Sequence, residues 1–295
     1  MAKGPTVVEL LTQAQVEGLS LGQIVLKHQA AQLEVTEQDL RQKMLANLQV
    51  MRNSVAEGLT GKRRSMSGMV GGDAKLLEQR RQGGQTLGGD VLARVAARAL
   101  AVAEVNAGMG KIVAAPTAGS CGVLPAVLLT VGEEIGADDA QLVEALFTAA
   151  GIGIVIAAQA SISGAQGGCQ AEVGSAACMA AVAAVELAGG TAELAVHAGA
   201  MALKTLLGLV CDPVAGLVEV PCVKRNVTGA VNALIAADMA LAGITSNIPL
   251  DEVIIAMGNI GRAMPCSLKE TALGGLAVTP TALRLKEVFL GAGQD

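Results

Sequence analysis

The sequence has no tryptophan and no tyrosine, and only two phenylalanines, Phe147 and Phe289. Single-stranded nucleic acids are held by stacking bases on aromatic faces, so that class of function has no platform here. Positive charge is also scarce. Lys and Arg number 21 against 26 Asp and Glu, a net of −5, and the one basic run, Lys62-Arg-Arg64, reads as a solvated loop. Such a balance offers no footprint for a nucleic acid. Histidine occurs twice, at His28 and His197, and completes no metal motif. His28 falls in an amphipathic N-terminal stretch, and His197 in an Ala-rich helix, where a hydrogen-bonded core histidine is expected.

Long hydrophobic runs are missing too, although the mean hydropathy is +0.52. The longest, Cys121–Gly132, Ala145–Ala158 and Ser175–Val185, stop short of the roughly 18 apolar residues of a spanning helix. They are rich in Ala and Gly, and are expected to be buried helices of a cytoplasmic protein without a membrane association. Glu9, Gln13, Gln15, Glu17 and Gln23 interrupt the first thirty residues, against a signal peptide. The six cysteines are then expected to be free thiols in a reducing compartment. No Cys-x-x-Cys pair marks a zinc site.

What is present is a chain 52% apolar and 16% charged, its core built from Ala, Gly, Leu and Val. Small side chains let helix backbones approach closely, so tightly packed helices are expected. Residues 1–30 read as short helices with a stripe of Val7, Leu10, Leu11 and Val16. Thr36, with Asp39 three residues on, reads as an N-cap. The helix after it is expected to bury Leu40, Met44, Leu45, Leu48, Met51, Val55 and Leu59 at near-3.6 spacing, with Gly58 and Gly61 as its stop. Residues 61–90 are glycine-rich loop with a short helical piece around Lys75–Arg81. Val91–Ala107 is a helix, and another begins near Val123. Helices follow at about 138–158, 171–188, 191–209, 226–242, 249–262 and 280–290, with no strand–helix alternation. The expected fold is all-α: a single domain over residues 1–295, made of an N-terminal layer (1–60), the glycine-rich region (61–90) and a helical core (91–295).

Three cysteines stand outside apolar helical runs, beside Gly or Pro: Cys169, Cys211 and Cys222, spaced 42 and then 11 residues apart. Flanking residues of that kind free backbone N–H groups that can donate to sulfur. Metal binding and buried packing are both open at these positions. Packing is the reading for Cys178, inside Ala176-Ala-Cys-Met-Ala-Ala181, and for Cys121 and Cys266. The loop Thr117-Ala-Gly-Ser120 precedes a helix and exposes N–H groups suited to an anion.

Four stretches carry a resemblance. They are Ala115-Pro-Thr-Ala-Gly-Ser-Cys-Gly-Val-Leu-Pro-Ala126, Gly167-Gly-Cys-Gln-Ala-Glu-Val-Gly-Ser-Ala176, Cys211-Asp-Pro-Val-Ala-Gly-Leu-Val-Glu-Val-Pro-Cys-Val-Lys-Arg-Asn226 and Lys269-Glu-Thr-Ala-Leu-Gly-Gly-Leu-Ala-Val278. With Gly68-Met-Val-Gly-Gly-Asp-Ala-Lys75, they make the chain resemble the alpha subunit of bacterial iron–sulfur L-serine dehydratase (L-serine ammonia-lyase). The resemblance implies a mainly helical fold and a [4Fe–4S] cluster on Cys169, Cys211 and Cys222, with one iron open to L-serine. It implies pyruvate and ammonia as products, without pyridoxal phosphate. Thr117, Ala118, Gly119 and Ser120 are then expected to bind the substrate carboxylate, with Lys111 as an electrostatic helper or a solvated lysine. Lys224, Arg225 and Asn226 are expected to balance cluster charge, and Glu172 to support the site or cap a helix. The family's beta part, with its Ser- and His-containing motif, is not in this chain, so a beta subunit is the expected partner and the general base is not assigned. The chain ends Gly-Ala-Gly-Gln-Asp295, without the terminal cysteine of some single-chain members, so capping of the cluster by a tail is not expected. A related cluster-dependent lyase acting on cysteine or another small β-substituted amino acid is the alternative. A pyridoxal-phosphate dehydratase is disfavoured by the missing α/β alternation, and an interaction or membrane module by the polar breaks.

Overall fold

A computed structural model describes residues 5–291, so the expectation about the terminal tail lies outside the described residues. Thirteen α-helices are present among them: α1 (Val7–Glu17), α2 (Leu21–Leu33), α3 (Glu37–Leu59), α4 (Asp73–Gln82), α5 (Gly89–Ala107), α6 (Val123–Ile135), α7 (Asp139–Gln159), α8 (Gly164–Gly167), α9 (Ser175–Leu187), α10 (Ala192–Thr205), α11 (Cys222–Leu241), α12 (Leu250–Ala263) and α13 (Pro280–Gly291). No strand occurs among the described residues. One isolated parallel bridge joins Cys211 to Lys269. The fold is all-α, as expected.

Local signals start many of these helices. Thr6 with Glu9, Ser20 with Gln23, Thr36 with Asp39 and Asp138 with Gln141 all form reciprocal capping boxes. Each satisfies two N–H groups that the helix itself cannot pair, and an N-cap is worth about 1 kcal/mol. The expected N-cap at Thr36 is among them.

The centre of the molecule is α9. Every residue from Ser175 to Val185 is buried, so this helix has no solvent face. It packs against α6, α7, α10 and α11. A helix that is apolar all round must be enclosed, and Ala-rich composition lets its neighbours come in close. A Cβ on Gly199 of α10 would lie 2.5 Å from a methyl of Val182. One continuous core runs from Val7 of α1 to Met257 of α12, so the N-terminal helices are layered onto the same interior as the rest. By length and composition, Ala118–Ile135, Asp139–Gln159 and Gln170–Leu187 can cross a membrane, which counting uninterrupted apolar residues did not anticipate. In the fold, 67%, 67% and 83% of these stretches is buried inside the protein.

Four expectations need correction. Leu45 of α3 is exposed, because it lies off the stripe of Leu40, Leu48, Met51 and Val55 that meets the core. Gly58 does not stop α3, which runs on to Leu59. It is buried where α3 meets α5, and a Cβ there would fall 2.2 Å from the Ala101 carbonyl oxygen. Helix α11 begins at Cys222 rather than near 226, directly after Pro221, because a proline at a helix start has no N–H to leave unpaired. Cys266 is exposed on a short 3₁₀ turn, not packed in the core, since Pro265 and the turn hold it at the surface.

Gly58→Ala is expected to lower stability by about 1–3 kcal/mol or more, because backbone at the contact cannot yield as a side chain can. Gly83→Ala, whose Cβ would meet nothing nearer than 3.5 Å, is expected to stay near wild type. Urea unfolding followed by circular dichroism measures both; equal midpoints for the two variants would contradict the close α3–α5 contact.

Candidate active site

Three separate segments bring Cys169, Cys211 and Cys222 together. Cys169 follows α8 and precedes a π-helical turn, Gln170–Gly174, that runs straight into α9. Such turns widen a helix by one residue and recur at functional sites. Buried Gln170 holds this segment in place. Its side-chain amide donates to the carbonyls of Gly167 (2.9 Å) and Met257 (3.2 Å), and its Oε1 accepts from Gly208 N–H (2.8 Å). Cys211 lies between α10 and α11. Its N–H donates to Leu268 O (2.9 Å), and its carbonyl accepts from Glu270 N–H (2.8 Å). The Lys269–Val278 motif is thereby drawn to the cysteines across more than fifty residues of chain. Cys222 is the first residue of α11.

Cys169 and Cys211 are buried, Cys222 is half-buried, and all three are free thiols. They are close enough to feel one another's charge. Burial is the main cause that pushes each thiol up, Cys169 to about 11 and Cys222 to about 12. Cys211 is raised by burial and then by the charges of Cys169, Glu172, Cys222 and Glu270. The Arg225 guanidinium works the other way on Cys169 and Cys222. Arg225 is itself held by Val210 O, to which Nη1 donates at 2.7 Å, and by buried Asp212. Its Nη2 lies 2.8 Å from Asp212 Oδ1, an ion-pair contact without hydrogen-bond alignment. Asp212 Oδ2 accepts from Leu276 N–H at 2.7 Å, which fastens the far end of the Lys269–Val278 motif.

Asn226, one turn into α11 and buried, fixes the loop that carries Thr117–Ser120. Its Oδ1 accepts from Gly122 N–H (2.9 Å), and its Nδ2 donates to Gly119 O (2.8 Å) and Cys222 O (3.0 Å). Asn226 is therefore a structural tie and not a charge-balancing residue. Lys224 points away from the thiols, to Asp73 of α4 at 2.7 Å. The Gly68–Lys75 motif is anchored by buried Glu104 of α5, whose carboxylate accepts from the N–H groups of Gly72, Asp73 and Ala74 at 3.0, 2.7 and 3.2 Å.

Glu172, on the π-helical turn, faces the same space. Thr117 Oγ1 donates to its Oε1 at 2.7 Å and also lies 3.2 Å from Ser120 Oγ. Glycine walls flank it: a Cβ on Gly119 would sit 3.0 Å from Glu172 Oε1. Burial raises the Glu172 carboxyl above its ordinary range, the Thr117 hydrogen bond lowers it, and Glu270 raises it further. Thr117, Gly119 and Ser120 are thus gathered at the site together with Glu172, while Ala118 is exposed on the same loop. Lys111 is exposed and pairs with no acid among the described residues. His197 is half-buried and accepts from Ser246 N–H at 3.2 Å, as a hydrogen-bonded histidine should. Cys178 is fully buried inside α9, and Cys121 is fully buried beside Val102 O.

No three His, Cys, Asp or Glu side chains among the described residues converge closely enough to hold a single metal. The three thiols are nevertheless within range of one another's charge, and cluster ligands bind different iron atoms. Ionising them together is opposed by burial and mutual repulsion, and a positive metal core relieves both.

The family described as serine dehydratase alpha chain matches residues 16–277. A probable L-serine dehydratase alpha chain of Bacillus subtilis is 52% identical over 97% of this chain and 95% of its own length. The L-serine dehydratase alpha chain of Peptoniphilus asaccharolyticus is 44% identical over 98% and 99%. An L-serine dehydratase of Streptomyces coelicolor is 39% identical over 92% of this chain but only 60% of its own, longer length.

Replacing Asn226 with Ala is expected to cost about 2–4 kcal/mol, since it leaves the buried Gly122 N–H and the Gly119 carbonyl without their partner. Amide hydrogen exchange should speed up at Gly122. Unchanged protection there would show that the loop does not depend on Asn226.

Proposed function

This chain belongs to the serine dehydratase alpha-chain family, and on that premise we propose that it deaminates L-serine to pyruvate and ammonia with a [4Fe–4S] cluster held by Cys169, Cys211 and Cys222. The observation that carries the proposal is the meeting of three free thiols from three distant segments, each raised by its surroundings in a way that a metal core reverses. Bound there, the cluster would supply an iron without a protein ligand, a Lewis acid toward the departing hydroxyl.

The remaining roles belong to the chain's own residues. The N–H groups of Ala118 and Gly119 take no acceptor among the described residues and can donate to the substrate carboxylate, with Thr117 and Ser120 shaping the loop. Arg225 faces Cys169 and offsets thiolate charge. Lys111, exposed, is left the role of a distant electrostatic helper. Buried Gln170 and Asn226 hold the ligand segments and the loop, and the small-residue helices around α9 exclude water behind them. In the reaction, L-serine loses its Cα proton and its hydroxyl as water, giving 2-aminoacrylate. The imine tautomer then takes up water to release ammonia and pyruvate.

Residues 1–295 are proposed to form one catalytic domain in the cytoplasm, without a membrane or nucleic-acid partner. A beta chain is the proposed partner. The relatives named alpha chain support it, as does the longer Streptomyces coelicolor protein, of which this chain spans 60%.

Anaerobic reconstitution with iron and sulfide should give a broad visible thiolate-to-iron absorbance. Single Cys169→Ser, Cys211→Ser and Cys222→Ser changes should each abolish it, and Cys178→Ser should leave it. A band that persists through all three changes would show the ligands to be elsewhere. With the beta chain added, the loaded protein should form pyruvate from L-serine.

A further inference from the structure

Glu172 is the one carboxylate on the π-helical turn beside Cys169, and its two oxygens differ. Oε1 is satisfied by Thr117 Oγ1 at 2.7 Å. Oε2 accepts no hydrogen bond among the described residues, and Glu172 pairs with no Lys, Arg or His there. This oxygen looks onto a wall without side chains: a Cβ on Gly164 would come within 2.7 Å of Oε2 and 3.2 Å of Cys211 Sγ. A half-buried carboxylate oxygen, left open on the side that faces a proposed cluster ligand, lacks only a cationic donor. The charge that reaches it is negative, from Glu270. An uncompensated charge in such a setting is costly, and a ligand that brings an N–H⁺ group removes the cost. Arg225, the nearest cation to the thiols, is engaged with Val210 O and Asp212.

We propose that Glu172 Oε2 receives the α-ammonium of the substrate, so that Glu172, oriented by Thr117, makes the site selective for α-amino acids over the corresponding α-hydroxy acids. This rests on the reading of the site as a serine dehydratase centre. It adds which end of the substrate faces which wall. The ammonium points to the π-helical turn, and the carboxylate, on the same carbon, lies beside the Thr117–Ser120 loop that touches Glu172.

The test uses the cluster-loaded chain with its beta chain. Binding of L-serine and of L-glycerate, which carries a hydroxyl in place of the ammonium, is measured by calorimetry and by perturbation of the visible band. Wild type should prefer L-serine by about 100-fold, because a site built around a charged hydrogen bond rejects an analogue that lacks its partner. In Glu172→Gln, which keeps the size and the bond from Thr117, the preference should fall to about 10-fold or less, with L-glycerate binding unchanged or tighter. Glu172→Asp should recover part of the preference. An unchanged ratio in Glu172→Gln overturns the proposal. So does a fall in kcat at an unchanged ratio, which marks a proton-transfer group instead, or loss of the visible band, which makes Glu172 a cluster ligand. The functional reading itself fails differently: wild type then shows no band, or forms no pyruvate while still carrying one.

Discussion

The structure depends on how closely its helix backbones approach one another. With no Trp or Tyr, the interior cannot be filled by a few large rings, and alanine, glycine and valine fill it instead. Contacts such as Gly58 on the backbone of Ala101 and Gly199 on Val182 follow from that composition. Such an interior is dense but has few polar anchors, so register is fixed where polar side chains are admitted. Among them, Gln170, Asn226, Glu104 and Asp212 each tie a loop to a helix. Gln170, Asn226 and Asp212 fix segments that carry or adjoin the cysteines, and Glu104 fixes the Gly68–Lys75 motif.

That arrangement separates two tasks. Scaffold hydrogen bonds place the cysteine segments without help from the cysteines themselves. Gln170 joins the Cys169 segment to α12 and to the Gly208 turn, and the backbone of Cys211 pairs with Leu268 and Glu270. The side chains that face the common space, by contrast, would repel one another if ionised together. Three thiols and Glu172 meet there with Glu270 in range, opposed by Arg225, which is already shared with Asp212. Natural sequences seldom leave such a conflict in an interior unless function requires it. Here the conflict has a sign, since each participant is relieved by positive charge.

The all-α fold and most helix positions were legible in the sequence because helix signals are local. Thr36 with Asp39 read as a cap and is one, and the Ala-rich runs read as buried helices and are buried. What failed was what depends on a partner distant in sequence. Gly58 looked like a helix stop, since nothing nearby announces that Ala101 will press against it. Lys224 and Asn226 both looked like neighbours of Cys222 with one shared role. Helix α11 sends the first to Asp73 and the second inward to the Thr117–Ser120 loop. The cysteines could be singled out by their Gly and Pro neighbours, but the site around them could not. The π-helical turn that presents Glu172 has no sequence rule, and the Cys211–Lys269 bridge joins residues 58 apart.

The candidate site is built at helix ends and not on helix faces. A ligand in mid-helix has its N–H and carbonyl already paired, and its side chain must share a crowded Ala-packed groove. Cys222 is the first residue of α11, where the helix ladder begins, and Cys169 lies where the π-helical turn loosens it. Glu172 follows Cys169 on that turn, so one widened turn carries both a proposed cluster ligand and the carboxylate proposed to receive the substrate ammonium. A regular α-helix from Gln170 onward would rotate Glu172 relative to Cys169 and carry its open oxygen away from the Gly164 wall. On that geometry the π-helical turn would couple the proposed cluster side of the centre to its proposed substrate side.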